Sequence, residues 1–260
     1  MELITAAVAA PERFLLELTF ASLRTGAALA LLPALGGQLI PVRVRIGIAA
    51  AVGFLVLGTP NAPEPPEDLL SLAGLLAIGA ELLIGAVAAV FLHAAFAAAQ
   101  VAGEWLAQAM GLGFAQAVAG DGPPQTMLST MFALLMWSLF LAGGGHLLLF
   151  QVLVESYRAL PAAGALLEPA RLWQILGWGG FALASGLLAA LPLGVALLLL
   201  NIALAVAAKS APQLNLFSVG FPMMLLVTLV GLPFALPGLA DSFARALLFL
   251  QGSAAEVLLG

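Results

Sequence analysis

Read from its first residue, the chain alternates long apolar runs with short polar breaks. A helix needs roughly 20 mostly apolar residues to cross a bilayer, and against that length the sequence divides into about six hydrophobic segments. The first covers about 14–35 and carries Glu17 and Arg24. The second, about 44–57, is short. The third, about 69–99, contains Glu81 and His93. The fourth covers about 128–154, the fifth about 172–208 and the sixth about 216–240. A last apolar stretch, about 243–259, suits an amphipathic or tucked C-terminal helix.

Glycine and proline mark the limits. Gly36, Gly37 and Pro41 close the first segment. Pro60, Pro63, Pro65 and Pro66 alternate with Glu64, Glu67 and Asp68 to make a stiff acidic connector. Gly120 to Pro124 ends another run, and Arg158, Pro161, Glu168, Pro169 and Arg171 mark a polar link. Pro192, Pro222, Pro233 and Pro237 lie inside apolar runs, where each removes a backbone donor and crowds the preceding turn. Several segments are also too long or too short for simple spans. The pattern predicts an all-α membrane protein of bent and broken helical hairpins, treated as a single unit over 1–260. The 28 glycines fit close helix contact.

Composition sharpens this reading. The chain is 63% hydrophobic and 8% charged, against about 25% charged residues in soluble domains, and its mean hydropathy is +1.15. Thirteen acidic and eight basic side chains give a net charge of -5, with no basic stripe to engage nucleic acid. The absence of cysteine removes disulfides and thiolate chemistry, and two histidines are too few for a metal cluster. Glu2, Glu12 and Glu17, with no basic region ahead of them, do not resemble a cleaved signal. The positive-inside tendency puts Arg43, Arg45 and Lys209 on the cytoplasmic side and the 60–68 connector opposite.

Ionisable groups within apolar segments are the first candidates for function, because their burial is expensive. Arg24 lies two helical turns after Glu17, so the two share a face. They form a buried pair or a polar lining, or else Arg24 snorkels to the interface. Glu81 and His93 are twelve residues apart, too far for a direct hydrogen bond. Gln100, Glu104 and Gln108 make a polar stripe at i, i+4 spacing, which either lines a wet lumen or leaves the membrane and is solvated. No phosphate loop or nucleophile elbow is present, so an enzyme is not expected, nor is a cofactor. Gly143, Gly144 and Gly145 before His146 suit a bend or a close helix approach.

Residues 108–121 mix small flexible residues with Met110, Leu112 and Phe114, which alternate and project together in an extended chain. A flexible apolar loop can occlude a pore by sterics and by excluding water. The plainer reading is a tight inter-helix turn with core-packed Met and Phe.

The run Lys209-Ser210-Ala211-Pro212-Gln213-Leu214-Asn215-Leu216-Phe217-Ser218-Val219-Gly220-Phe221-Pro222 resembles the signature of the FliR family, which includes the virulence-system relatives SpaR, YscT and HrcT. Leu23 to Gly26, then Pro33, then Ile40 to Arg45 with Arg43, is similar to the family's N-terminal pattern. Gly103, Glu104 and Gln108 to Ala115 resemble its central motif. Gly145 and His146, Glu155 to Tyr157, Leu160 and Pro161, and then Leu191, Pro192 and Asn201 follow in the family's order. Departures fall at Asp121-Gly122-Pro123, where the family often has Asp-Pro, at Ala205-Val206 in place of Gly-Leu, and at Lys209 in place of Arg.

The resemblance implies an export-gate subunit of the bacterial inner membrane and flagellar basal body. FliR-like chains look like a fused FliP and FliQ unit. They assemble with FliP-like and FliQ-like subunits beside FlhB-like and FlhA-like proteins, around a channel for unfolded protein substrates. The family's central loop plugs that channel. Carried over, the plug lies at about 110–124, with Met110, Gly111, Leu112, Gly113 and Phe114 as gating residues and Leu112 and Phe114 as the occluding side chains. Arg24, Arg43, Arg45, Glu104, Gln108, Pro212, Gln213, Asn215, Phe217, Gly220 and Pro222 become structural or inter-subunit positions. A secondary transporter with discontinuous helices is the rival reading. It predicts an internal repeat, which the sequence does not display. A scaffold of the same assembly is another.

Overall fold

The computed structural model describes residues 10–33, 41–66, 68–111, 126–161, 166–210 and 220–260. Among them every regular element is helical: α1 (Pro11–Leu31), α2 (Val42–Leu57), α3 (Leu72–Ala109), α4 (Met127–Ala142), α5 (Gly145–Ala159), α6 (Pro169–Ser210) and α7 (Phe221–Leu259). By length and composition α1, α3, α6 and α7 suit membrane crossing, which agrees with an all-α membrane protein. Leu229 and Phe234 are 77% and 82% exposed. In water such a surface would aggregate, so lipid or neighbouring protein must cover it.

Helix starts and stops follow local chemistry. α1 opens on Pro11, whose missing N–H falls where a helix has no internal acceptor to offer. Ser71 caps α3: the Gly74 amide donates to its Oγ at 3.0 Å, and its hydroxyl donates to the Asp68 carbonyl at 2.7 Å. Thr126 caps α4 by accepting from the Ser129 amide at 3.2 Å.

The prolines do not divide the helices as expected. α6 continues through Pro192 and α7 through Pro233 and Pro237, so the sixth segment and the C-terminal stretch are one 39-residue helix. In an apolar solvent, unwinding would strand several backbone polar groups for the one that each proline frees, and the helix persists. Pro222 sits in the first turn of α7, where proline is tolerated. The fourth segment breaks instead at glycine. Between α4 and α5, Gly144 takes φ 69° and ψ 17°, a left-handed conformation that glycine reaches without steric penalty.

The chain divides into two compact units, each built from distant stretches. The first comprises Met1–His93, Gly144–Trp178 and Phe249–Gly260, and the second Ala94–Gly143 and Gly179–Leu248.

In the first unit α1 and α2 form an antiparallel hairpin. A Cβ at Gly53 would sit 2.4 Å from Ser22 Oγ, and one at Gly26 would touch Ala49, so partners fall along α2 as they rise along α1. Ala21, Val52, Val56 and Tyr157 make a small buried cluster. The start of α6 and the end of α7 run antiparallel and are joined by polar contacts. Trp178 Nε1 donates to Ser253 Oγ at 2.9 Å, Gln174 reaches Glu256 at 3.1 Å, and Arg171 Nη1 donates to the Val257 carbonyl at 2.7 Å. The edge of Phe91 meets Trp178 with ring centroids 6.5 Å apart.

In the second unit α4 returns antiparallel to the end of α3, with Phe96 against Trp137 at 4.7 Å between centroids. α6 runs parallel to α3. Gly186 faces the Ala98 carbonyl, and Gly194 lies so close to the Trp105 ring that an added Cβ would stand 1.8 Å from it. Phe132 and Phe243 tie α4 to α7 edge to face at 5.7 Å.

Candidate functional site

The most concentrated polar chemistry of the first unit is centred on Arg24. It lies on the buried face of α1, and its side chain is fully buried. Its guanidinium grips Glu81 of α3 in a fork: Nε donates to Oε2 and Nη2 to Oε1, both at 2.9 Å. Nη1 donates to Ser156 Oγ at 2.9 Å, and Nη2 also donates to the Leu160 carbonyl at 3.0 Å. The Tyr157 ring lies under the guanidinium carbon at 4.0 Å, while its hydroxyl donates to the Ala21 carbonyl at 2.6 Å.

Each feature uses a property of arginine that lysine lacks: a planar fork, several fixed donors and a face that stacks. α1, α3 and the end of α5 are thereby fixed at one point. The backbones close in as well, since a Cβ on Gly85 would lie 2.1 Å from the Arg24 carbonyl.

This arrangement corrects the pairing expected from spacing. Glu17 engages exposed Arg13 at 3.0 Å, one turn away. Arg24 neither pairs with Glu17 nor snorkels, because its face of α1 is turned toward α3 and α5. A cavity of about 470 Å³ adjoins the node, with Phe20, Asn61, Glu64, Tyr157 and Arg158 among its lining. The node neutralises a charge and holds three helices, and it presents no nucleophile with a base beside it. His93, toward the other end of the first unit's share of α3, meets the Leu31 carbonyl through Nε2.

The second cluster surrounds the ends of the central loop. Residues 112–125, which include Leu112, Gly113 and Phe114, lie outside the described residues. The residues that lead into and out of them are described. Met110 is buried, and Gly111 has φ 79° with its amide donating to the Gln108 carbonyl at 2.9 Å. Asn201 of α6 donates through Nδ2 to the Ala109 carbonyl at 2.8 Å, one of the last-turn acceptors that a helix cannot satisfy by itself. On the return side Glu104 Oε1 accepts from the Thr126 amide at 2.7 Å. A carboxylate is well placed there, at a helix N-terminus whose amides lack internal acceptors.

The expected stripe of Gln100, Glu104 and Gln108 is therefore divided. Glu104 is half-buried and bonded to the start of α4, whereas Gln108 is exposed. Arg43 is exposed in the first turn of α2 and Arg45 is half-buried there. Gly220 is buried just before α7, and Pro222 is exposed. Pro212, Gln213, Asn215 and Phe217 lie outside the described residues.

Sequence reasoning missed Glu81 as the partner of Arg24, and with it Ser156 and Tyr157. The signal was present, because an acid and a base buried in two apolar helices are each costly until they meet. Among the described residues no group of three or more His, Cys, Asp or Glu could hold a metal.

The profile of the bacterial export proteins, family 1, matches residues 15–249, which covers both the Arg24 node and the loop ends. The chain is 34% identical over 209 residues to the flagellar biosynthetic protein FliR of Escherichia coli K12, covering 79% of this chain and 78% of that protein. It is 33% identical over 216 residues to FliR of Pectobacterium carotovorum, covering 83% and 82%. It is 31% identical over 226 residues to FliR of Aquifex aeolicus, covering 87% of each. Matched over residues 15–249 of its 260, the chain belongs to family 1 of the bacterial export proteins.

Proposed function

We propose that this chain is a membrane-embedded subunit of the flagellar protein export apparatus, and that it helps to form and to plug the channel through which unfolded substrates pass. The observation that carries the reading is the match to FliR proteins over about four fifths of both chains. The physical character of the chain supports it. Several helices exceed the length of a simple span, large apolar side chains cover their outer faces, and the densest polar cluster is closed on itself as an ion pair. Such a chain acts by packing and by surrounding a passage rather than by covalent chemistry.

In this reading the segment from Met110 to about residue 124 closes the channel, with Leu112 and Phe114 as the occluding side chains. An apolar tip limits water and ion passage when closed, and glycines ease its displacement by substrate. FliP-like and FliQ-like subunits flank the chain, with FlhB-like and FlhA-like proteins nearby. Arg43, Arg45 and the 212–222 motif are placed at subunit contacts, in the inner membrane at the flagellar basal body.

The test is co-expression with FliP-like and FliQ-like partners, followed by deletion of 111–114. The deleted complex is expected to assemble in normal yield and to leak small ions in vesicles. A deleted complex that remains tight would remove the plug. A chain that is monodisperse alone and ignores those partners would remove the export-gate reading altogether.

A further inference from the structure

We infer that the cavity beside the Arg24 node binds a zwitterionic phosphoethanolamine headgroup, and that the molecule which fills it is an ethanolamine phospholipid with an acyl chain in the adjoining groove. The site lies wholly within the first unit. There α1 and α3 run parallel, since Arg24 meets Glu81 and, further along both helices, Leu31 meets His93. The cavity of about 470 Å³ is enclosed by the middle of α1, the first turns of α3, the end of α5 and the connector that follows α2. Small-molecule sites hold about 300–1,000 Å³, so its size suits a headgroup.

Its charges form two pairs of different kinds. The buried pair, Arg24 and Glu81, is neutralised within its own fork. The exposed pair is Glu64 on the connector and Arg158 on α5, which line the same cavity. Among the described residues neither of these two makes an ion pair, with the other or with anything else. Unlike charges that border one cavity without meeting are matched by a ligand that carries both signs. A lone anion or a lone cation would satisfy one and be repelled by the other. The Arg158 guanidinium is shaped to hold a phosphate in a fork. The Glu64 carboxylate accepts from a primary ammonium, which brings three donors. What separates a lipid from a soluble zwitterion is the neighbouring surface. Phe20 lines both this cavity and a groove of about 340 Å³, whose other lining residues are Leu15, Leu16, Thr19, Leu23, Leu69 and Ile78, none of them charged. The two spaces abut across one side chain, so a headgroup in the first brings an attached acyl chain to the second.

The chain has no cysteine, so Ala62→Cys places a single thiol in the cavity wall. The full chain is purified in detergent with whatever subunits accompany it, stripped of lipid, and labelled with a maleimide. Phosphatidylethanolamine, phosphatidylglycerol, phosphatidylcholine or the soluble glycerophosphoethanolamine is added in separate arms. Phosphatidylethanolamine is expected to protect the thiol saturably, at a concentration about tenfold below that needed of the other two lipids, the worth of one charge-assisted hydrogen bond. The soluble headgroup, which cannot use the groove, should protect only at far higher concentration. Glu64→Gln and Arg158→Gln, both at exposed positions, are then made in the A62C background. Each should weaken protection by phosphatidylethanolamine about tenfold. They should differ in selectivity: E64Q loses the preference over phosphatidylglycerol, whereas R158Q weakens both lipids alike. A general disturbance of the fold would not divide in that way.

Equal protection by the three lipids, or protection by phosphatidylethanolamine that neither E64Q nor R158Q alters, would overturn the inference. So would a thiol that stays unlabelled without any lipid, because a neighbouring subunit would then fill the cavity. Protection by glycerophosphoethanolamine at the same concentration as by the lipid would overturn the phospholipid and give the cavity to a soluble phosphodiester. All of these outcomes are independent of whether residues 110–124 close a channel.

Discussion

Glu81→Ala is the sharpest perturbation that the structure offers. The carboxylate occupies both arms of the Arg24 fork, and the two side chains are 4% and 0% exposed. The guanidinium would keep only Ser156 Oγ and the Leu160 carbonyl as acceptors. Leaving one member of a buried pair uncompensated costs about 3–5 kcal/mol, whereas replacing both by apolar side chains of similar volume is often close to neutral. E81A is thus expected to be strongly destabilised, and the Arg24→Met, Glu81→Met double variant to recover most of the loss. The assay is thermal unfolding of the assembled complex at one protein and detergent concentration, because assembly itself shifts the midpoint. At about 2–4 °C per kcal/mol for chains of this size, E81A should lower the midpoint by about 10 °C and the double variant by only a few degrees. A fall of less than about 2 °C for E81A, or a double variant that loses the sum of its singles, would refute the claim that the pair acts as one neutralised unit.

Two further outcomes follow from the packing. Tyr157→Phe removes the hydroxyl that donates to the Ala21 carbonyl at 2.6 Å but leaves the ring over Arg24. It should cost about 1 kcal/mol, visible as a shift of a few degrees in the same unfolding measurement. Gly194→Ala places a methyl 1.8 Å from the rigid Trp105 ring and should cost about 2 kcal/mol or more through overpacking. Gly177→Ala, which meets open space, is the matched control and should be neutral or slightly stabilising by helix propensity.

The apolar runs made the helices legible, because in lipid length and hydropathy nearly decide where a helix lies. Their ends at Pro11, Ser71 and Thr126 carry ordinary start signals. Two features were less readable. Pro233 and Pro237 signal a break by local rules, yet α7 runs through them, because solvent rather than propensity controls backbone satisfaction there. Arg24 was recognisable as a buried charge, but its partner stands 57 residues away. One-dimensional spacing favours neighbours such as Glu17 and says nothing of which helix packs against which. The same limit applied to Glu104 and Asn201. Both residues were singled out, but their acceptor and donor across the loop emerge only once α3, α4 and α6 are brought together.

Arg24 leaves the ribosome 57 residues ahead of Glu81 and 132 ahead of Ser156. At about 5–20 residues per second of synthesis, the nascent α1 spends several seconds with an unneutralised guanidinium, a burden of about 2.5–3.5 kcal/mol at the middle of an inserted helix. Stable insertion of the first helix is therefore deferred until the third has been made, and the two should partition from the translocon together. A ribosome stalled before Glu81 emerges should leave α1 extractable by alkali, and one stalled well after it should not.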